Sequence, residues 1–213
     1  MLFTQIQLIS FNKINTLGLL KGLIMKKMLV VLLILTVGMV YAQPATGEYV
    51  GSKKCKICHS KEEVGSQYSI WENGPHARSM ETLKTDASKA IAKKMGLKVA
   101  ADQAPECLVC HATGWGTKSG YQLAVDPLDT KAVKVNEDLA NVGCESCHGA
   151  GSEYKSKKVM IAIADGTTKG STVGLTTITA ETCTSCHNKK SPTYKPFDYA
   201  VRVKEVAHPA PGK

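Results

Sequence analysis

The longest apolar run in the chain, residues 29–40, follows Met25-Lys26-Lys27-Met28 and ends at the small-residue site Val40-Tyr41-Ala42. Positive charge, apolar stretch and cleavage site in that order form an export signal, so residues 1–42 are expected to be removed and the mature chain to begin at Gln43. Residues 1–24 add nothing such a signal needs, which places the expected translation start at Met25. The run is shorter than the roughly 18 apolar residues that cross a bilayer, so an uncleaved signal acting as a membrane anchor is the second reading. No cysteine stands near the cleavage site, which argues against a lipoprotein.

Beyond Ala42 the apolar positions thin out. Leu, Ile, Val and Phe together number 27 in 171 residues, a share of about 16%, below the roughly 20% at which chains cease to build an ordinary core. Helical patterning is best over 61–72, over 75–85 with Pro75 at the first helical position, and over 86–95 closed by Gly96. Gly114-Trp115-Gly116 through Gly120-Tyr121-Gln122-Leu123 predicts a small hairpin. Residues 162–179, rich in Gly and Thr, have no helical period and read as a mobile loop. The segment from Ser191, with Pro192, Pro196, Pro209 and Pro211, reads as a tail wrapped on the surface with a frayed end. The expected class is mostly α with little strand, in one domain over 43–213, with its centre filled by something other than side chains.

The cysteines say what fills it. All eight fall in one pattern: Cys55-Lys56-Ile57-Cys58-His59, Cys107-Leu108-Val109-Cys110-His111, Cys144-Glu145-Ser146-Cys147-His148 and Cys183-Thr184-Ser185-Cys186-His187. The spacers between these copies are unequal, which excludes a fixed-period solenoid. CxxCH is the attachment signature of c-type haem: two thiols form thioethers to the porphyrin vinyls and the adjacent imidazole becomes the proximal iron ligand. Eight thiols in an exported chain also suit two zinc sites or four disulfides. But histidine makes up only 6 of 213 residues, and finding it by chance after all four CxxC pairs has a probability of roughly six in ten million on that composition. Four covalently bound haems also answer the missing core, because porphyrin faces bury apolar area at roughly 25 cal/mol per Å². The chain without haem is therefore not expected to fold.

The formal charge of +9 is partly a property of the leader, because residues 1–42 hold four lysines and no acid; the remainder carries 23 basic and 18 acidic residues. Eight haem propionates and four ferric centres bring that remainder from +5 to about +1, which removes the support for nucleic-acid binding. The lysine clusters Lys53-Lys54 with Lys56, residues 155–158, and Lys189-Lys190 read either as docking patches for acidic redox partner proteins or as solvated surface.

These residues resemble the tetrahaem cytochrome c-554 family, electron carriers related in haem packing to hydroxylamine oxidoreductase. The carriers of the likeness are the four motifs, Lys53-Lys54, Trp71, the stretch His76-Ala77-Arg78-Ser79-Met80-Glu81-Thr82-Leu83-Lys84, Gly114-Trp115-Gly116 with Gly120-Tyr121, and Val142-Gly143 leading into the third motif. The resemblance implies a mostly helical fold, close-packed haems in stacked and perpendicular pairs, three haems ligated by two histidines, and one open haem at the second motif, Cys107 to His111. One feature departs. The family carries a distal His shortly after its third motif, following Gly-Pro-Gly, whereas this chain reads Gly149-Ala150-Gly151 and has no His between His148 and His187. With His59, His111, His148 and His187 proximal, only His76 and His208 remain as distal ligands.

Two iron positions then lack a histidine. The resemblance assigns one to the haem of His111 and the other to the haem of His59. Lys158, Lys155, Tyr154 and Met160 compete for such a position, a lysine only after losing its proton. The expected function is that of an exported carrier, periplasmic or extracellular, passing electrons between redox partner proteins, with low potentials from bis-histidine ligation. The alternatives are a reductase of a small nitrogen oxide at an open haem, and a subunit of an extracellular conducting filament in which a neighbour's His fills a vacant position.

Overall fold

The structure is a computed structural model that describes residues 47–209. The export signal expected over 1–42, with its start and cleavage sites, lies outside the described residues. Ten α-helices occur among the described residues: α1 (Ser52–His59), α2 (Gln67–Glu72), α3 (Ser79–Leu83), α4 (Asp86–Lys94), α5 (Pro105–His111), α6 (Thr130–Asp138), α7 (Cys144–His148), α8 (Lys157–Ala164), α9 (Ala180–Thr184) and α10 (Tyr199–Arg202). Together with short 3₁₀ turns they cover about half of those residues, and no strand occurs among them. The fold is mostly α, as the patterning predicts.

Local chemistry explains where the helices start and stop. Thr85 caps α4 by accepting from the Ser88 amide, Ser156 caps α8, and Asp198 caps α10. Past the end of α4, Gly96 takes φ +71° while its amide and that of Leu97 return to the carbonyls of Lys93 and Ala92, the six-to-one and five-to-two pattern of a glycine stop. Residues 86–95 thus behave as their pattern predicts.

Four expectations need correction. The helix expected over 61–72 is broken, because Gly65 at φ +101° and Ser66 at φ +50° turn the chain between the 3₁₀ turn Glu62–Val64 and α2. The segment 75–85 begins as a 3₁₀ turn, Pro75–Arg78, and becomes α only at Ser79. The hairpin over 114–123 is a loop of successive turns closed at its neck by the Tyr121 amide on the Thr113 carbonyl. It is too tight for a ladder, since a Cβ on Gly120 would run into the Gly114 carbonyl. The loop expected over 162–179 is anchored: its first residues belong to α8, and Thr176 returns to the third motif, its amide donating to the His148 carbonyl at 3.0 Å and its hydroxyl to the Cys147 carbonyl at 2.7 Å.

The protein's own core is small and local. Met80, Leu83, Ala92, Ala101, Leu108 and Ala112 form it, with Leu97, Trp115, Tyr121 and Ala140 packed alongside. It surrounds α5, the helix of the second motif, and Leu108 inside that motif is fully buried. Burying such a side chain contributes about 1.5–3 kcal/mol. In the first motif Ile57 is by contrast 73% exposed.

One strap joins the motifs. Residues 139–143, between α6 and α7, accept the Thr113 amide at Leu139, the Met80 amide at the Asn141 side chain and the Trp71 indole N–H at the Val142 carbonyl, each at 2.9 Å. The Val142 amide donates to the Ser79 hydroxyl and the Gly143 amide to the Thr113 hydroxyl. Buried backbone groups are thereby satisfied while α2, α3 and the end of α5 are held against the start of α7.

Candidate functional site

Each CxxCH motif uses one helical turn. In α1, α5 and α7 the motif ends the helix, so its two thiols and its imidazole lie at i, i+3 and i+4 on one face. In the fourth motif α9 carries Cys183, and the turn continues through the His187 amide on the Cys183 carbonyl at 2.9 Å.

The histidines outside the motifs come to two of the motif histidines. The His76 ring, in the 3₁₀ turn Pro75–Arg78, faces the ring of His187 with centroids 6.1 Å apart. The His208 ring faces that of His148 at 5.8 Å. Two imidazoles flanking one metal atom need about 2 Å from each nitrogen to the metal and roughly 1 Å more to each ring centre, close to 6 Å in all. Burial, reinforced by the neighbouring imidazole, lowers the pKa of His76 and of His148. Burial also lowers that of His187, with Arg202 adding to it. The neutral ring that results is the form that binds a metal.

His59 and His111 have different partners. The His111 Nδ1–H donates to the Ser79 carbonyl at 2.8 Å, and the Ser79 hydroxyl donates back to the His111 carbonyl at 2.9 Å. A ring bonded this way keeps its Nε2 lone pair free for a metal. The His59 Nδ1 lies 3.3 Å from the Gln67 side-chain oxygen.

The thiols meet across motifs. Cys55 of the first lies beside Cys144 of the third, and Cys110 of the second beside Cys186 of the fourth. In each pair the neighbouring thiol favours one sulfur as thiolate, which draws Cys144 and Cys186 down, while Cys55 and Cys110 are pushed up. All eight thiols are free of disulfides. Among the described residues no three Cys, His, Asp or Glu side chains gather as a zinc site would require. The donor set therefore fits covalent haem, two thiols and an imidazole at a time.

Comparison with known proteins gives the same reading. The family model for cytochrome c554 and c-prime matches residues 54–149. Cytochrome c-554 of Nitrosomonas europaea is 35% identical over 114 residues, 52% of this chain and 42% of that protein. The alignment thus spans less than half of the relative's length. Over these residues the chain is similar to the cytochrome c554 family. The solved structure of the reduced state of cytochrome c554 from Nitrosomonas europaea shares 30% identity over 75% of this chain and 78% of its own, with a TM-score of 0.49. Cytochromes of the c type hold haem through thioethers, and the paired cysteines of each CxxCH motif are thiols of the kind that chemistry uses.

Three features of this cytochrome's site are not apparent from its motifs. Glu145, inside the third motif, is 2% exposed, and its carboxylate accepts the amides of Val50, Gly51 and Gly151, clasping the start of the described chain to α7. Phe197 stacks on His187 at 4.7 Å and 19°. Tyr154, weighed above as an iron ligand, is corrected: it is buried, with its hydroxyl donating to the Gly149 carbonyl at 2.6 Å and lying 3.3 Å from that of His148. Lys155 and Lys158 are exposed, and Met160 is half-buried. Lys56, Thr184 and Ser185 are also polar residues inside motifs, so polarity did not single out Glu145, and nothing in the sequence pointed to the Phe197 stack.

Proposed function

We propose that this chain is an exported tetrahaem cytochrome, periplasmic or extracellular, that carries single electrons between redox partner proteins. The observation that carries the reading is the approach of two distal imidazoles, His76 and His208, to two motif imidazoles at the spacing of a shared metal. Haem c supplies reversible one-electron exchange between ferric and ferrous iron. The chain's part is to hold and orient it. Cys55, Cys58, Cys107, Cys110, Cys144, Cys147, Cys183 and Cys186 provide the thioethers, and His59, His111, His148 and His187 the proximal nitrogens. His76 completes the site of His187, and His208 that of His148.

The thiol contacts between the first and third motifs, and between the second and fourth, bring attachment points together in twos, which keeps an electron path short. The strap 139–143 holds the second and third motifs in register, so electron transfer needs little rearrangement of the chain. No helix among the described residues is long and apolar enough to cross a membrane. With the signal removed, the cytochrome would meet its partners through its lysine-bearing surface.

A second reading rests on His59 and His111, which the distal histidines do not reach. An open iron at either site would take a small nitrogen oxide. Mass spectrometry of the intact holoprotein counts the haems, and four are expected. Stopped-flow oxidation of the reduced protein by other cytochromes, set beside steady-state assays with nitrite, nitric oxide and hydroxylamine, separates carrier from reductase. Turnover of any of these three would move the assignment to the second reading.

A further inference from the structure

Gln67 opens α2 and is buried to 8% exposure, and its amide is shared among three separate segments. Its side-chain NH₂ donates to the Pro209 carbonyl at 2.9 Å and to the Val64 carbonyl. Its oxygen lies 3.3 Å from Nδ1 of His59, at the end of α1. Two carbonyls can only accept, so the NH₂ must face them and the oxygen must face His59. That in turn requires His59 to carry its proton on Nδ1, leaving Nε2 as the free donor to a metal. Pro209 follows His208 directly, and the His208 ring faces His148. The backbone before Gln67 is shaped to receive the tail: Gly65 and Ser66 are both left-handed, and a Cβ on Gly65 would meet the Pro209 Cβ at 3.0 Å.

We propose that Gln67 is a positioning residue serving two haem sites at once: its oxygen fixes the ring of His59, and its NH₂ holds Pro209 and thereby seats His208 opposite His148. The inference rests on the haem reading above. It makes the first and third sites dependent on one side chain 142 residues away in sequence from its tail partner. Leucine at this position leaves the His59 N–H and the Pro209 carbonyl without partners. Glutamate keeps an acceptor for His59 but sets a second oxygen against the Pro209 carbonyl.

The test uses the full holoprotein, with Gln67→Leu, Gln67→Glu, His208→Ala and the double variant Gln67→Leu/His208→Ala. Haem number comes from intact mass, carbon monoxide stoichiometry from titration of the ferrous protein, and haem potentials from spectroelectrochemistry. Both Gln67 variants, like His208→Ala, are expected to keep every haem and to bind one more carbon monoxide per chain than the parent. The double variant is expected to bind no more than His208→Ala alone. The first-motif haem should rise in potential in Gln67→Leu and fall in Gln67→Glu, because a stronger acceptor on Nδ1 makes the ligand more basic. Unchanged stoichiometry overturns the hold on the tail, and unchanged potentials overturn the hold on His59. If the leucine variant does not accumulate, the glutamate variant decides both. A parent without haem overturns the haem reading itself, whereas a haem-loaded parent with unaltered variants overturns only the role of Gln67.

Discussion

The imidazole of His76 stands 6.1 Å from that of His187, centre to centre, across 111 residues of chain, with the planes tilted by 56°. Such a separation matches two imidazoles flanking one metal atom. His76→Ala is therefore expected to leave the number of attached haems unchanged, because a distal ligand takes no part in thioether formation. It should convert one low-spin haem to high spin, read by electron paramagnetic resonance of the ferric protein. An unaltered spectrum would return His76 to an ordinary place in a 3₁₀ turn.

The mature holoprotein should weigh as a chain beginning at Gln43 plus four haems. Intact mass spectrometry of protein exported by a host with a haem-attachment system measures both quantities together. A mass retaining residues 1–42 would remove the processing step, and a smaller increment would remove a motif from the haem count.

With His76 and His208 as distal ligands to two of the four proposed haems, the ferrous monomer is expected to bind two carbon monoxide molecules per chain. Lys158 is exposed, and Lys158→Ala should give the same stoichiometry. One equivalent bound by the parent and two by the lysine variant would instead make Lys158 a ligand.

Glu145 draws three backbone amides onto one buried carboxylate. Glu145→Gln keeps the shape but turns one acceptor into a donor facing amide N–H groups. A loss of about 1–3 kcal/mol is expected from the amides left unsatisfied. Thermal or denaturant unfolding of the holoprotein with haem count unchanged measures it. A shift within error of the parent would mean that the clasp at Val50 and Gly51 contributes nothing to stability.

What the sequence determined by itself was the chemistry and the class of the fold. Eight thiols and four imidazoles at one spacing name a prosthetic group wherever the chain runs, since CxxCH is a property of a single helical turn. The scarcity of aliphatic residues forecasts a thin protein core, and the structure has one, confined to the surroundings of α5. The stop of α4 at Gly96 was equally legible, because it depends on neighbours within five residues.

Which motif histidine each remaining histidine faces was settled only by how distant segments fold together. His76 meets His187 and His208 meets His148 through the placement of a 3₁₀ turn and of the tail, and no local pattern encodes a pairing over 60 or more residues. The break at Gly65 and Ser66, hidden within an apparently helical period, is of the same kind, because its left-handed turn leads Gln67 to the tail. The anchored segment after α8 is another, since Thr176 finds its acceptors 28 and 29 residues upstream. Local spacing sets which atoms a turn can present, while hydrogen bonds between distant segments set what those atoms face.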